Sequence, residues 1–170
     1  AAIETLAANP GLVGQIGTTC VPTMVTGGHA LNALPQRATA NINCRIFPGH
    51  TPASIMAELQ RVAADPAVQF KDVTEGSVPN DASPMRPDLV KAVEKATVKA
   101  WGKIPVFASQ SAGASDSMWF RHHNVPSYGV SPLMSKENDS FAHGLNERVL
   151  TMNFAPAVVY YTSLFEDLSR

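Results

Sequence analysis

Residues 37–46, RATANINCRI, alternate without a break. Ala38, Ala40, Ile42, Cys44 and Ile46 fall on one side, and Thr39, Asn41, Asn43 and Arg45 on the other. A period of two is the signature of a β-strand with one face to bury. Upstream, residues 18–26, TTCVPTMVT, are rich in β-formers and stop at Gly27-Gly28. The intervening GGHALNALPQ is too long for a tight turn. Two cysteines make no disulfide scaffold, and Cys20 and Cys44 read first as small, half-buried hydrophobes. If the two strands pair antiparallel, however, the two lie roughly opposite each other. Pro22 inside the first strand marks an edge or a bulge.

Working outward, residues 1–9 predict a helix closed by Asn9-Pro10-Gly11. Thr51-Pro52 is a helix start, a hydroxyl N-cap followed by proline at the first helical position. Ile55, Met56, Leu59, Val62 and Ala63 then share one face, and Asp65-Pro66 ends the helix. Residues 67–73 predict a short strand. Residues 74–88 hold three prolines and little apolar content, as a linker does. Beyond them come a helix over 88–101, short strands at 104–109 and 126–131, and a helix starting within 113–120. A loop follows over 131–146, then a C-terminal helix from Thr151 or Asn153. The fold class expected is α/β: an incomplete α+β sandwich over 1–76, then an α/β layer over 77–170.

Composition narrows the function classes. The 170 residues are 45% hydrophobic and carry a net charge of −1. That is enough apolar content for a core. The absence of a basic stripe argues against nucleic acid as a partner. No apolar run approaches the ~20 residues that span a bilayer, so no membrane partner is expected. The chain opens on Ala1 with a helix already under way, which suggests a piece of a longer protein.

Three loops have compositions suited to chemistry: LNALP, QSAGASDS and FAHGLNE. Small residues entering a helix leave backbone N–H groups for a carboxylate or phosphate. A plain cap by Ser115 or Asp116 accounts for the same residues. A nucleophilic Ser115 lacks both the G-x-S-x-G pattern and a base. His143 lies between Ala142 and Gly144, which leave its ring accessible. A neutral imidazole is the commonest metal ligand, but a lone loop histidine is more often a surface residue. Asp116, Asp139 and Glu147 are partners by type only, and no H-x-x-x-H or H-E-x-x-H spacing exists. His122-His123 beside Arg121 read as a solvated helix end.

Taken in order, GGHALNALP, NINCRIFP, GASDSMWF and FAHGLNERV resemble motifs of one family. It is the zinc peptidases and deacylases that include aminoacylase, acetylornithine deacetylase, succinyl-diaminopimelate desuccinylase and carnosinase. The first two motifs resemble its lid, or dimerisation, domain, and the last two the end of its catalytic domain. The resemblance implies that His143 is the last metal-binding histidine of a two-zinc centre. Asn32 and Arg45 match lid residues that grip the substrate carboxylate. Gly113, Ala114 and Ser115 match a G-T-S turn facing the substrate backbone, with Ala114 replacing the usual threonine. Asp116 matches a structural aspartate, and Glu147 a residue behind the histidine loop.

The resemblance further implies hydrolysis of amide bonds in small peptides or N-acyl amino acids. Two Zn²⁺ per subunit are expected, with other divalent metals as substitutes, and a homodimer built through the lid. The family's remaining ligands and its general-base glutamate match nothing in these 170 residues. No catalytic residue is therefore assigned within this chain, which alone is expected to be inactive. The competing reading is a dimerisation or binding module without chemistry. A cytoplasmic location is expected, or a periplasmic one if a leader precedes the chain.

Overall fold

The structure is a computed structural model that describes residues 2–136, 139 and 141–170. Ala1, Glu137, Asn138 and Ser140, which fall in the expected helix 1–9 and loop 131–146, lie outside the described residues. The architecture is mixed α/β. In order it runs α1 (Ala2–Ala7), β1 (Thr19–Gly27), β2 (Ala38–Arg45), α2 (Pro52–Ala63), α3 (Pro87–Trp101), α4 (Ser117–His122) and α5 (Phe154–Leu168), with short 3-10 turns before β1 and α5. Two compact units form, Ala1–Ala82 with Ser109–Ser127, and Ser83–Ala108 with Tyr128–Arg170.

In the first unit, β1 and β2 form an antiparallel pair. Cys20 faces Cys44, Pro22 faces Ile42, Val25 faces Ala40 and Gly27 faces Ala38. The register shifts between Pro22 and Met24, a bulge at the proline that has no N–H for the ladder. Asn41 Nδ2 donates to the Thr23 hydroxyl at 2.8 Å across the bulge. The cysteines are joined in a disulfide, with Cα atoms 4.1 Å apart. Cys20 is exposed and Cys44 half-buried, and the two lie opposite each other as antiparallel pairing of the strands implied; the reading as two separate hydrophobes gives way to the disulfide. Strand register brings the sulfurs together, and the bond follows from it.

The face expected to be buried is open. Val25 is 74% exposed and Ile42 39% exposed. Two strands cannot bury their own face; that takes a third strand or a covering helix. Helix α2 begins as its sequence requires: Ser54 N–H donates to Thr51 Oγ1, and Thr51 N–H to Ser54 Oγ, both at 3.1 Å. Yet α2 has no fully buried residue, and Val62 on its apolar stripe is exposed.

The second unit holds the core. On α3, Ala92, Ala96 and Thr97 are buried against Tyr160, Ser163 and Leu164 of α5. Small side chains on one helix admit large ones from the other, at i, i+4 spacing on both. Val93, Ala100, Val130 and Tyr161 pack around them. Gly102, at φ 81°, ends α3 in a conformation that favours glycine. The expected strands at 67–73, 104–109 and 126–131 are not strands, because no neighbouring strand among the described residues completes a ladder for them. The 126–131 segment instead leads into a run held by side chains. Tyr161 OH donates to the Val130 carbonyl at 3.3 Å, and Trp101 Nε1 to that of Pro132 at 2.8 Å.

Candidate functional site

His143 lies within three nested closures of one loop. In the innermost, Gly144 N–H donates to the Phe141 carbonyl at 2.7 Å, with Ala142 and His143 between them. His143 sits at φ 64°, in the left-handed region. A β-carbon on Gly144 would come within 3.0 Å of the Phe141 carbonyl oxygen, so the residue after His143 is held to minimal size. In the middle closure, Arg148 Nε donates to Asp139 Oδ1 at 3.1 Å, and its guanidinium carbon lies 4.6 Å from the Phe141 ring centroid. In the outermost, Met134 N–H donates to Asn153 Oδ1 at 3.1 Å, and Asn153 Nδ2 donates to the Met134 carbonyl at 2.9 Å. Asn153 is fully buried.

A left-handed backbone on a residue with a β-carbon costs about 1–3 kcal/mol and persists where the surroundings over-determine it. The exposed imidazole is thus carried on a constrained turn. Glu147, also exposed, gives its N–H to the Gly144 carbonyl at 3.3 Å. Imidazole nitrogen suits a divalent metal. Among the described residues, though, no group of three or more His, Cys, Asp or Glu side chains gathers to hold one. His143 fits as a single donor; the donor set of the described residues does not fit a metal pair.

The other expected site residues belong to the first unit. Asn32 is exposed in the loop between β1 and β2. Arg45 closes β2 opposite Thr19, and its exposed guanidinium has no acidic partner among the described residues. A free guanidinium fork is the right shape for a carboxylate. In the 113–115 turn, Gly113 N–H donates to Ser111 Oγ at 3.1 Å. Ala114 and Ser115 are exposed, and the Ser115 carbonyl accepts from Met118 N–H at 3.2 Å. Asp116 stands at the N-cap of α4 without a side-chain capping bond, so the cap expected from Ser115 or Asp116 is absent. Backbone turns close this short helix instead.

Within the same unit, Gly14 borders both features. A β-carbon there would stand 2.7 Å from Ala112 Cβ and 3.9 Å from Thr19 Cγ2. The small-residue turn and the strand end carrying Arg45 therefore flank one glycine. His122 and His123 are exposed at the end of α4, as expected of a solvated end, but Arg121 and His122 also make contacts. Arg121 Nε donates to Asn80 Oδ1 at 2.7 Å, and His122 Nδ1 lies 3.0 Å from the Pro79 carbonyl. They tie the proline-rich linker to α4.

Sequence reading missed Asn153 and Arg148 as parts of the His143 loop. Asn153 has the look of a helix cap, and Arg148 of a surface charge. Neither contact leaves a periodic signal, since each spans a loop.

Residues 2–71 match the family model described as the peptidase dimerisation domain. The chain is 27% identical over 161 residues to the N-fatty-acyl-amino acid synthase/hydrolase PM20D1 of Xenopus tropicalis, covering 94% of this chain and 31% of that protein. It is 30% identical over 158 residues to the succinyl-diaminopimelate desuccinylase of Dinoroseobacter shibae, covering 88% and 38%. It is 21% identical over 166 residues to the probable carboxypeptidase S-like 2 of Dictyostelium discoideum, covering 97% and 32%. The chain thus spans about a third of the length of the curated relatives it matches. No solved structure matches it significantly. The alignments to these relatives span most of the chain, and by the family model residues 2–71 belong to the peptidase dimerisation domain, the chain as a whole being similar to N-acyl-amino acid hydrolases, desuccinylases and carboxypeptidase S-like proteins.

Proposed function

We propose that this chain supplies part of the lid and the final part of the catalytic domain of an amide hydrolase acting on small peptides or N-acyl amino acids. Residues 1–76 form the lid share and 77–170 the catalytic share. In this reading His143 donates one imidazole to a divalent-metal centre, with Zn²⁺ as the metal and other divalent ions as substitutes. The remaining ligands and the general base come from outside these 170 residues. Asn32 and Arg45 bind the substrate carboxylate, and Gly113, Ala114 and Ser115 face its backbone. The observation that carries the reading is the exposed imidazole held at φ 64° inside three closures.

In this reading the chain alone is inactive, since the ligands and base that complete the centre match no motif in its sequence. The test is an assay on N-acyl amino acids and dipeptides with added Zn²⁺. The 170-residue chain is expected to be inactive. The whole protein carrying it is expected to be active, to lose on the order of a hundredfold or more in kcat/KM with His143→Ala, and to gain KM about tenfold with Arg45→Ala. Full activity in His143→Ala would end the reading.

A second reading, a homodimerisation module, is favoured by the open apolar strand face around Val25 and Ile42. Sedimentation of the chain with and without Val25→Lys tests it, the charge being expected to abolish a dimer.

A further inference from the structure

We infer that Asn153 and Arg148 are positioning residues for His143: together they fix the turn that presents its imidazole. The inference deepens the proposed role of His143 as a metal ligand and rests on that reading for its use, though not for its geometry. Asn153 is 0% exposed, and its amide engages both backbone groups of Met134 as a neighbouring strand would. No capping bond from its side chain accounts for its burial at the start of α5. Its bonds fasten the base of the loop to the helix that carries the core residues Tyr160 and Leu164. Arg148 fastens the loop again nearer the tip, through Asp139 and the face of Phe141. Phe141 is also the residue whose carbonyl closes the turn over His143. The turn of His143 is therefore fastened near its tip by Arg148 on Asp139 and Phe141, and at the base of its loop by Asn153 on Met134.

Neither residue touches a reacting group in this arrangement; both act through the turn. Their loss should loosen the Phe141–Gly144 hydrogen bond while leaving the α3–α5 core intact. A general fold-stabilising role would relax both alike.

Amide hydrogen exchange read by NMR separates these. In Asn153→Ala, the Met134 and Gly144 amides are expected to exchange about tenfold faster or more, with the Ala96 and Leu164 amides unchanged. In Arg148→Met, whose native side chain is 58% exposed and carries little folding risk, the Gly144 amide alone is expected to speed up, by several-fold. Arg148→Lys, which keeps the charge on Asp139, should restore part of the protection. An unchanged Gly144 amide in Arg148→Met overturns the inference, as does equal acceleration of the core amides in that variant. If Asn153→Ala fails to fold, the two Arg148 variants decide. Zn²⁺ binding by the whole protein is measured separately in His143→Asn. Retained binding there ends the metal reading and leaves the exchange result standing on its own.

Discussion

Cys20 and Cys44 are direct cross-strand partners, and the disulfide between them closes a loop of 24 residues' separation that contains Asn32. Closing a loop of that length restricts the unfolded chain by about 3 kcal/mol at 25 °C. The paired substitution Cys20→Ser with Cys44→Ser is expected to destabilise the first unit by up to about that much. Urea unfolding followed by a probe in that unit measures it. An unchanged midpoint would show that the pair is reduced in solution or that the hairpin holds its register unaided.

Gly14 has no room for a side chain. A β-carbon 2.7 Å from Ala112 Cβ forces something to move. Gly14→Ala is expected to cost about 1–3 kcal/mol and to displace the turn carrying Gly113–Ser115. The double change Gly14→Ala with Ala112→Gly should recover most of the loss. Denaturation midpoints of the four chains in that cycle give the coupling directly.

Lys95 on α3 bonds Asp167 on α5, Nζ to Oδ1, at 2.6 Å. That hydrogen bond, with the nearby cations, holds the Asp167 carboxyl below its ordinary range. A carboxyl depressed in the folded state stabilises it above the unfolded value near 4, and the benefit disappears as pH falls through the lowered value. Thermal unfolding by circular dichroism from pH 7 to 2 should show this acid loss. Asp167→Asn is expected to be less stable at pH 7 and to lose less on acidification.

Ser163 Oγ is buried with no hydrogen-bond partner among the described residues. A buried hydroxyl left unpaired costs about 1–3 kcal/mol. Ser163→Ala is therefore expected to stabilise the second unit by about 1 kcal/mol. Calorimetry on the purified variant checks the sign; a lower Tm would reveal a partner for the hydroxyl.

His143 holds a left-handed backbone that asparagine tolerates better. His143→Asn is expected to raise stability by a few tenths to about 1 kcal/mol while removing the imidazole. Chemical denaturation of that variant would show whether the loop gives up stability to present the ring.

The sequence was enough for the elements whose cause is local. The alternation of 37–46 made a strand, the Thr51-Pro52 start made α2, and the apolar spacing of 88–101 made α3. Pro22 announced its bulge. These depend on backbone geometry and nearest neighbours, and those are written in order along the chain. The motifs around His143, Arg45 and Gly113, on which the resemblance rests, are likewise short contiguous runs.

Tertiary structure decided what proximity alone can set. Strand register joined Cys20 to Cys44, a pairing that composition left open. The segments 67–73, 104–109 and 126–131 have strand-like composition but no partner among the described residues, and a ladder needs two sides. The alternating strand identified a face to bury, but burial belongs to whatever packs on that face, and it stays open here. Asn153 and Arg148 reach back across a loop to the segment before His143. Side-chain contacts of that range depend on where the chain returns in space, and no local pattern encodes that.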